Sequence, residues 1–280
     1  MKSSSFEYHA PKTLDDAVAL IARHAEEEAR VLAGGQTMVP AMAMRLARPG
    51  HLIDINGIAE LDRIVISGAG LRIGACVRHA ALDAAAAPGA LGRLIGLAQH
   101  HIAHLPIRTR GTFCGSLANA DAASEWCLLM VALDGSIEAR STAGTRMIDA
   151  EDFLLGYMTT ALAPEEMIVA AHLPTLPPGT RVGFHEFARR AGDFAQSMAI
   201  ATYAVAQGRI TAPRIAIGGV VSRARRCPEA EALLHGATPD PALFQEAARQ
   251  AAIHAPLVEE DPYLRSLTET SVLRALTGAA

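Results

Sequence analysis

Two short glycine-bearing turns contain the residues of this chain that are best suited to binding chemistry. The first turn, AGGQT at residues 33–37, follows an apolar stretch, and the second turn, GTFCGS at residues 111–116, lies much later in the chain. In both, small residues stand where a strand would end, and hydroxyl or amide side chains stand where a helix or turn would begin. Such a turn exposes several backbone N–H groups to one anion. Together the two turns predict a diphosphate that is held from both sides.

Two familiar phosphate-binding motifs match neither turn. A P-loop requires a lysine followed by serine or threonine after its last glycine, and the dinucleotide fingerprint requires three glycines at fixed spacing. Neither turn contains either pattern, so ATP hydrolysis and a Rossmann-type NAD site are not favoured. For either turn taken alone, the alternative interpretation of a tight connection between two elements stays open.

The composition excludes several classes of partner and site. The formal net charge is −4 and no basic stripe alternates with aromatic residues, so a nucleic acid is not a predicted partner. No run of about 18 apolar residues and no apolar leader segment is present, which predicts a cytoplasmic chain without a membrane span. The four cysteines form no C-x-x-C pair, so we expect no iron–sulfur cluster and no other metal centre in this chain.

The hydrophobic pattern predicts an α+β protein whose first domain covers residues 1–175. A short strand, a helix capped by Thr13, the first turn with its flanking strand and helix, and an apolar strand from His51 predict a small βαβ unit in residues 1–57. Short antiparallel strands and alanine-rich helices, one of them over residues 79–87, are expected in the mixed part that continues to residue 175.

The chain changes character at the sequence PTLPPG, residues 174–179, which is its densest proline cluster. Such clusters are typical of linkers, so the second domain is predicted to cover residues 176–280. Three apolar segments with turns between them predict a small sheet there. Three further segments with helical spacing and a proline near their start predict a closing group of helices.

Long segments of the chain resemble one known family. The segments AGGQTMVPAMAMRLARPGHLIDI (33–55) and IRTRGTFCGSLANADAASEWCLLMVALDGSIEARS (107–141) resemble its two flavin motifs. Three more segments also fit: EDFLLGYMTTALAPEEMIVAAHLP, GFHEFARRAGDF and RIAIGGV. The family comprises the flavin-binding subunits or domains of molybdenum hydroxylases, including the medium subunit of aerobic carbon monoxide dehydrogenase and the flavin part of xanthine dehydrogenase. The resemblance covers nearly the whole chain.

The resemblance implies a non-covalently bound FAD. The fold that the resemblance implies for the chain begins with a two-subdomain FAD-binding domain of the vanillyl-alcohol-oxidase (PCMH-like) type, with subdomains 1–57 and 58–175. A C-terminal domain of a small sheet with helices follows. Residues 184–194 would approach the flavin ring, and no residue is given a catalytic or metal-binding role. The cofactor-binding residues that the resemblance implies are Val31, Leu32, Ala33, Gly34, Gly35, Gln36, Thr37, Met38, Ile102, Gly111, Thr112, Phe113, Cys114, Gly115, Ser116, Asn119, Asp121, Glu125, Ile168, Glu186 and Phe194.

Two departures from the family pattern bear on the cofactor. Cys114 stands where the family usually has a glycine; if that position requires a positive φ, the strain is about 1–3 kcal/mol, and we expect weaker FAD binding or a different turn. Glu186 stands where many members have a lysine near the flavin. An acid there would disfavour an anionic reduced flavin unless its side chain points away.

The resemblance also implies a function and partners. A large subunit with a molybdopterin cofactor would hydroxylate the substrate, and a small subunit with [2Fe-2S] clusters would pass electrons to this FAD. The flavoprotein would then deliver them to an external acceptor, in an assembly expected to be a dimer of heterotrimers. Two alternatives stay open: a structural subunit that has lost its flavin, and a stand-alone flavin oxidase.

Overall fold

The computed structural model describes residues 2–83 and 86–279. Its first elements are β1 (Glu7–His9), α1 (Leu14–Arg23), β2 (Arg30–Leu32), α2 (Met38–Ala43) and β3 (His51–Asp54). The three strands form one parallel sheet in the order β1–β3–β2. Because parallel neighbours need a crossover, the helices fall between the strands, as the predicted βαβ unit requires.

The start of α1 follows from its sequence. The Thr13 hydroxyl accepts a hydrogen bond from the Asp16 N–H, which confirms the predicted N-cap. The helix then buries Ala17, Val18 and Ile21 on one face, which is the spacing of an amphipathic helix packed on a sheet.

A five-stranded antiparallel sheet with helices on it makes up the middle of the chain. Its elements are β4 (Ile64–Ser67), β5 (Gly70–Gly74), α3 (Gly89–His101), α4 (Leu105–Arg108), α5 (Phe113–Asn119), α6 (Glu125–Ala132), β6 (Ser136–Ser141), β7 (Gly144–Asp149), α7 (Ala150–Phe153), β8 (Leu154–Gly156), β9 (Thr159–Thr160) and β10 (Met167–Pro174). The strand order is β4–β5–β10–β6–β7, and β8 pairs with β9 separately.

One predicted helix in this part is wrong. Residues His79–Ala81 form only a single 3-10 turn, where the sequence predicted a helix over 79–87. The backbone is held there by long-range contacts, since the His79 N–H donates to the Gly111 carbonyl. Residues 84 and 85 of the predicted helix lie outside the described residues.

Helix α6 lies at the centre of the molecule. Its residues from Trp126 to Ala132 are all buried, and it packs against α3, α5 and the C-terminal sheet. A helix that is apolar on every side is expected only where it is enclosed on every side.

The C-terminal part is a four-stranded antiparallel sheet with a layer of helices. Its elements are β11 (Arg181–Phe187), β12 (Ser197–Ala206), β13 (Arg209–Gly218), β14 (Arg225–Arg226), α8 (Pro228–Leu234), α9 (Pro241–His254) and α10 (Pro262–Gly278). All three helices begin at a proline, as the sequence predicted.

Alternation along β12 divides the core in two. Met198 and Ile200 belong to the larger core, which contains α3 and α6, whereas Ala201 and Tyr203 belong to a second core beneath α9 and α10. Successive side chains of a strand point to opposite faces, so one strand contributes to both cores. Among the described helices, none is both long and apolar enough to cross a membrane.

Candidate functional site

The two glycine turns lie in direct backbone contact. A Cβ atom added to Gly34 would stand 2.5 Å from the Arg110 carbonyl oxygen and 2.6 Å from the Gly111 Cα. Both distances are too short for any side chain, so only glycine permits this approach. The structure therefore brings together two segments that are far apart in the sequence.

Two residues that the sequence analysis missed tie the turns together. The Asn56 amide donates to the Ala33 carbonyl at 2.8 Å and accepts from Arg78, whose guanidinium also donates to the Arg110 carbonyl. Arg78 further forms an isolated antiparallel bridge with Thr112. Asn56 follows the carboxyl end of β3, beside the end of β2, and loops at the same end of parallel strands meet. That rule could have predicted Asn56.

The first turn leaves its backbone amides free. Across residues 2–83 and 86–279, the N–H groups of Gly34, Gly35, Gln36 and Thr37 donate to no protein acceptor. Gly35 adopts a φ of +72°, which suits glycine, and the Gln36 side chain folds back to the Gly34 carbonyl at 3.1 Å. Consecutive free amides in a turn that opens a helix form an anion-binding site.

The second turn uses most of its amides internally. The Phe113 N–H donates to the Val77 carbonyl at 3.1 Å, the Gly115 N–H to the Thr112 hydroxyl at 3.0 Å, and the Ser116 N–H to the Thr112 carbonyl at 3.2 Å. The amides of Phe113, Gly115 and Ser116 are therefore not free for a ligand, although the sequence analysis expects the second turn to help hold a diphosphate. Most of the second turn forms the wall against which the first turn is placed.

Cys114 is accommodated without backbone strain. It lies in the first turn of α5 and is absent from the described non-glycine residues with a positive φ. Its side chain is buried, and the Sγ atom points toward the Ile73 carbonyl at 3.6 Å. The strain that a positive φ would have imposed on this departure from the family pattern does not arise.

His79 supports the second turn from below. The Trp126 indole N–H donates to His79 Nδ1 at 2.9 Å, and a Cβ on Gly111 would stand 2.6 Å from His79 Nε2. Burial, together with the nearby cations Arg78 and Arg108, lowers the pKa of His79 to about 4. His79 is therefore neutral near pH 7, with Nδ1 as an acceptor.

Three predicted acidic residues lie near one another beyond α5. Burial, together with the Glu186 and Asp121 carboxylates, raises the pKa of Glu125 to about 8. Burial also raises the pKa of Glu186 to about 7. The Glu186 side chain is only 3% exposed, its Oε2 stands 4.0 Å from His101 Nδ1, and that oxygen has no hydrogen-bond partner among the described residues.

Four of the predicted cofactor-binding residues flank the two turns. Val31 and Leu32 form the half-buried end of β2, which leads into the first turn, and Met38 begins α2 directly after it. Asn119 ends α5, between the second turn and the acidic residues.

The three predicted apolar contacts are dispersed. Ile102 caps the end of α3, and its carbonyl accepts from Arg108 at 2.9 Å, just before the second turn. Ile168 is buried in β10 beside a β-bulge. Phe194 is 75% exposed on the loop between β11 and β12. Among the described residues, no hydrogen bond joins Ile168 or Phe194 to either turn.

Comparison with known proteins identifies the family. Residues 4–176 match the model of the FAD binding domain in molybdopterin dehydrogenase. The chain belongs to this flavoprotein family. Residues 183–278 match the carbon monoxide dehydrogenase flavoprotein C-terminal domain. The chain is accordingly an FAD-binding oxidoreductase subunit of the molybdenum hydroxylase family.

Individual relatives span almost the full chain. The chain is 38% identical over 252 residues to the nicotine 6-hydroxylase medium subunit of Paenarthrobacter nicotinovorans, covering 90% of this chain and 88% of that one. It is similar in structure to quinoline 2-oxidoreductase of Pseudomonas putida 86 (TM-score 0.92, 34% identity, 100% and 98% covered). It also matches carbon monoxide dehydrogenase of Hydrogenophaga pseudoflava, in a form lacking the Mo-pyranopterin moiety (TM-score 0.92, 31% identity, 100% and 98% covered).

The residues of this flavoprotein fit an FAD. The free amides at the first turn suit a diphosphate. The two turns approach so closely at Gly34 that no side chain larger than a hydrogen atom fits there. The buried Glu186 oxygen without a partner is a second indication, because a buried polar atom requires a hydrogen bond. These are the observations expected of a cofactor cradle.

Proposed function

We propose that this chain holds FAD with its diphosphate on the first turn and passes electrons from an iron–sulfur subunit to an external acceptor. The observation that carries the proposal is the set of free amides at Gly34, Gly35, Gln36 and Thr37, fixed against the second turn. When bound, FAD supplies the two-electron redox chemistry that no side chain of this protein can supply.

The first turn binds through main-chain donors. Each hydrogen bond from an N–H to a charged oxygen is about twice as strong as a neutral one. The Asn56–Arg78 pair keeps these donors aligned by holding the Ala33 and Arg110 carbonyls. The Arg78 guanidinium also adds positive charge beside the turns.

The acidic residues adjust the electrostatic field around the cofactor. Because burial holds the pKa of Glu125 near 8, this carboxyl is protonated at neutral pH and can donate a hydrogen bond. Glu186, with a pKa of about 7, is fully charged only above neutral pH. This lessens the conflict between a negative charge at this position and an electron-rich flavin.

Exposed apolar side chains adjoin both turns and offer a surface for the iron–sulfur subunit. Val39, Met44 and Leu46 lie on or just after α2, and Leu105 lies on α4, immediately before the second turn. Apolar residues at the centre of an interface exclude water and contribute most of its stability. We place the small subunit on this surface because electrons must reach the cofactor through a short path.

The test is co-expression of the chain with its partner subunits. We expect about one FAD per chain and reduction of the FAD by substrate only when both partners are present. A colourless chain that does not take up added FAD would overturn the proposal in favour of a structural subunit. Reduction of the isolated chain by an organic substrate would instead indicate a stand-alone oxidase.

A matched pair of variants tests the partner surface. Leu105→Asp places a charge beside the second turn and should release the iron–sulfur subunit while FAD content stays normal. Val258→Asp changes an equally exposed apolar residue in the C-terminal part and should leave the assembly intact. Loss of the partner in both variants or in neither would contradict the assignment of this surface.

The assembly and the domain division belong to the same proposal. We propose a dimer of heterotrimers in the cytoplasm, which native mass measurement and cell fractionation can test. The division between residues 175 and 176 is supported by the two family models, since one ends at residue 176 and the other begins at residue 183. Limited proteolysis of the intact chain should cut first within residues 174–179.

A further inference from the structure

Three histidines meet on one face of the small sheet, beside the C-terminal end of α1. His9 ends β1, His24 caps the end of α1, and His51 begins β3. Since β1 and β3 are parallel and Glu7 is paired with His51, His9 lies two residues further along on the same face. The first turn follows the carboxyl end of β2, whereas His51 stands at the amino end of β3 and His24 at the end of α1, so the cluster is centred away from the first turn.

The ring nitrogens of the three histidines converge. His9 Nε2 stands 3.0 Å from His51 Nδ1, and one nitrogen from each ring lies within 4.8 Å of those of the other two. Zinc–imidazole bonds of about 2.0–2.1 Å put the ligands of a tetrahedral site about 3.4 Å apart. The closest pair, at 3.0 Å, is a few tenths of an ångström nearer than two ligands on one ion, and the third nitrogen has to move by at most about 1.4 Å.

One carboxylate orients two of the rings. Glu27 Oε2 lies 2.5 Å from His51 Nε2 and 3.4 Å from His24 Nδ1. With those nitrogens directed at Glu27, His51 Nδ1 and His24 Nε2 are the ones left to bind an ion. A carboxylate on the far nitrogen of a histidine is the usual support of a metal-ligating imidazole.

A fourth ligand is within reach. Glu7 Oε2 stands 3.7 Å from His51 Nδ1, and its side chain is 74% exposed, so it can turn toward an ion. Three imidazoles with one carboxylate or a water suit Zn²⁺ and similar late divalent ions, and a donor set without thiolates and with little oxygen does not suit Ca²⁺ or Mg²⁺.

We propose that His9, His24 and His51 bind one divalent ion of the zinc class, with Glu7 or water as the fourth ligand and Glu27 orienting the rings. The ion would join β1, α1 and β3, and so stabilise the βαβ unit that presents the first turn. The His24 and His51 rings, stacked at 3.7 Å and 18° from parallel, would rotate apart on binding. This site goes beyond the proposed electron-transfer function, and it departs from the expectation that the chain has no metal centre.

The test is titration of the chelator-treated full chain with Co²⁺, which reports tetrahedral geometry by its absorbance, and with Zn²⁺ by calorimetry. We expect one ion per chain, an intense tetrahedral Co²⁺ band and a higher Tm. His24→Gln should weaken binding at least tenfold, and Glu27→Gln, which keeps all three ligands, should weaken it by about 10–100-fold. FAD content and circular dichroism should stay unchanged, which shows that both variants fold.

The control is His254→Gln, at the exposed end of α9. It should bind Co²⁺ as the unaltered chain does. The proposal is overturned if the unaltered chain shows no saturable binding of either ion, or if His24→Gln and Glu27→Gln both bind as tightly as the control. Because the readout is metal affinity, failure here is distinguishable from failure of the proposed FAD site.

Discussion

The first and second glycine turns lie against each other, yet they differ in what their backbone amides do. Around Gly34 and Gly35 the amides have no protein acceptor among the described residues, and the turn is only half-buried. Around Phe113 and Gly115 the amides bond to Val77 and Thr112, and residues 111–114 are buried. The two glycine-bearing turns therefore differ in role, since one leaves its donors free and the other forms the wall behind them.

The difference shows that a glycine-rich turn does not by itself identify a phosphate site. What separates the two turns is whether the surrounding structure supplies acceptors. An unpaired amide is tolerated only where water or a ligand can reach it. The free amides of the first turn are thus the stronger indication of the two.

Disrupting the close contact between the two turns should have the largest effect on FAD binding. Gly34→Ala puts a methyl group 2.5 Å from the Arg110 carbonyl oxygen, which forces the turns apart. We expect FAD affinity to fall by at least about tenfold, or about 1.4 kcal/mol, as measured by FAD retention and fluorescence titration. Gly68→Ala, where a Cβ meets nothing within 4 Å, is the control. Normal FAD binding by Gly34→Ala would contradict the claim that FAD binding depends on the contact between the two turns.

The acidic residues beyond the second turn should make stability depend on pH. The folded-state pKa values of Glu125 and Glu186, about 8 and about 7, lie above the value of about 4.3 expected when unfolded. Between about pH 4.3 and these values the folded state binds more protons than the unfolded state. The contribution of the two carboxyls to stability is therefore fully present below about pH 4.3 and is lost as the pH rises to about 8.

Glutamine substitution tests this pH dependence. The Glu125→Gln/Glu186→Gln double variant should lose less stability than the unaltered chain between about pH 5.5 and about pH 8.5, as measured by urea unfolding. Glu165→Gln, which changes an exposed side chain, should behave as the unaltered chain. An equal dependence of unfolding free energy on pH in all three proteins would show that folding does not raise the pKa values of these two carboxyls.

Removing the Thr112 cap of the second turn should lower the stability of the protein more than its affinity for FAD. Thr112→Val deletes the acceptor of the Gly115 N–H, for an expected loss of about 1 kcal/mol and a fall in Tm of about 2–4 °C. Thr13→Val removes the matching cap of α1 and should lower Tm similarly. FAD affinity of Thr112→Val should fall less than that of Gly34→Ala. The reverse order would place the ligand donors in the second turn.

The smallest effect is expected at Cys114. Because Cys114 has helical backbone geometry and a buried side chain, Cys114→Gly should lower stability by about 1 kcal/mol and leave FAD affinity unchanged. Cys114→Ala, which keeps the Cβ, separates the loss of packing from the gain in backbone freedom. A gain in FAD affinity in the glycine variant alone would show that the cysteine does obstruct the turn.

Much of the fold follows from local patterns in the sequence. The Thr13 cap, the turn between β6 and β7, and the prolines that begin α8, α9 and α10 all depend on residues close in the chain. These signals act through backbone geometry and local hydrogen bonds, and tertiary packing did not override them.

What the sequence missed depends on contacts between distant residues. Alanine-rich composition favoured a helix over 79–87, but the backbone of His79 is held by Gly111 and its ring by Trp126. In the same way, Arg78 gives no local signal, because it acts only once Asn56 and the second turn are side by side. The histidine cluster depends on the register of β1 on β3, which no spacing of His9, His24 and His51 reveals.

Residue-resolved amide hydrogen exchange, with and without FAD, tests the central claim most directly. We predict that the amides of Gly34, Gly35, Gln36 and Thr37 exchange fast in the FAD-free chain and become protected when FAD binds. The amides of Phe113, Gly115 and Ser116 should be protected in both states. Protection that changes at the second turn and stays constant at the first would contradict the account.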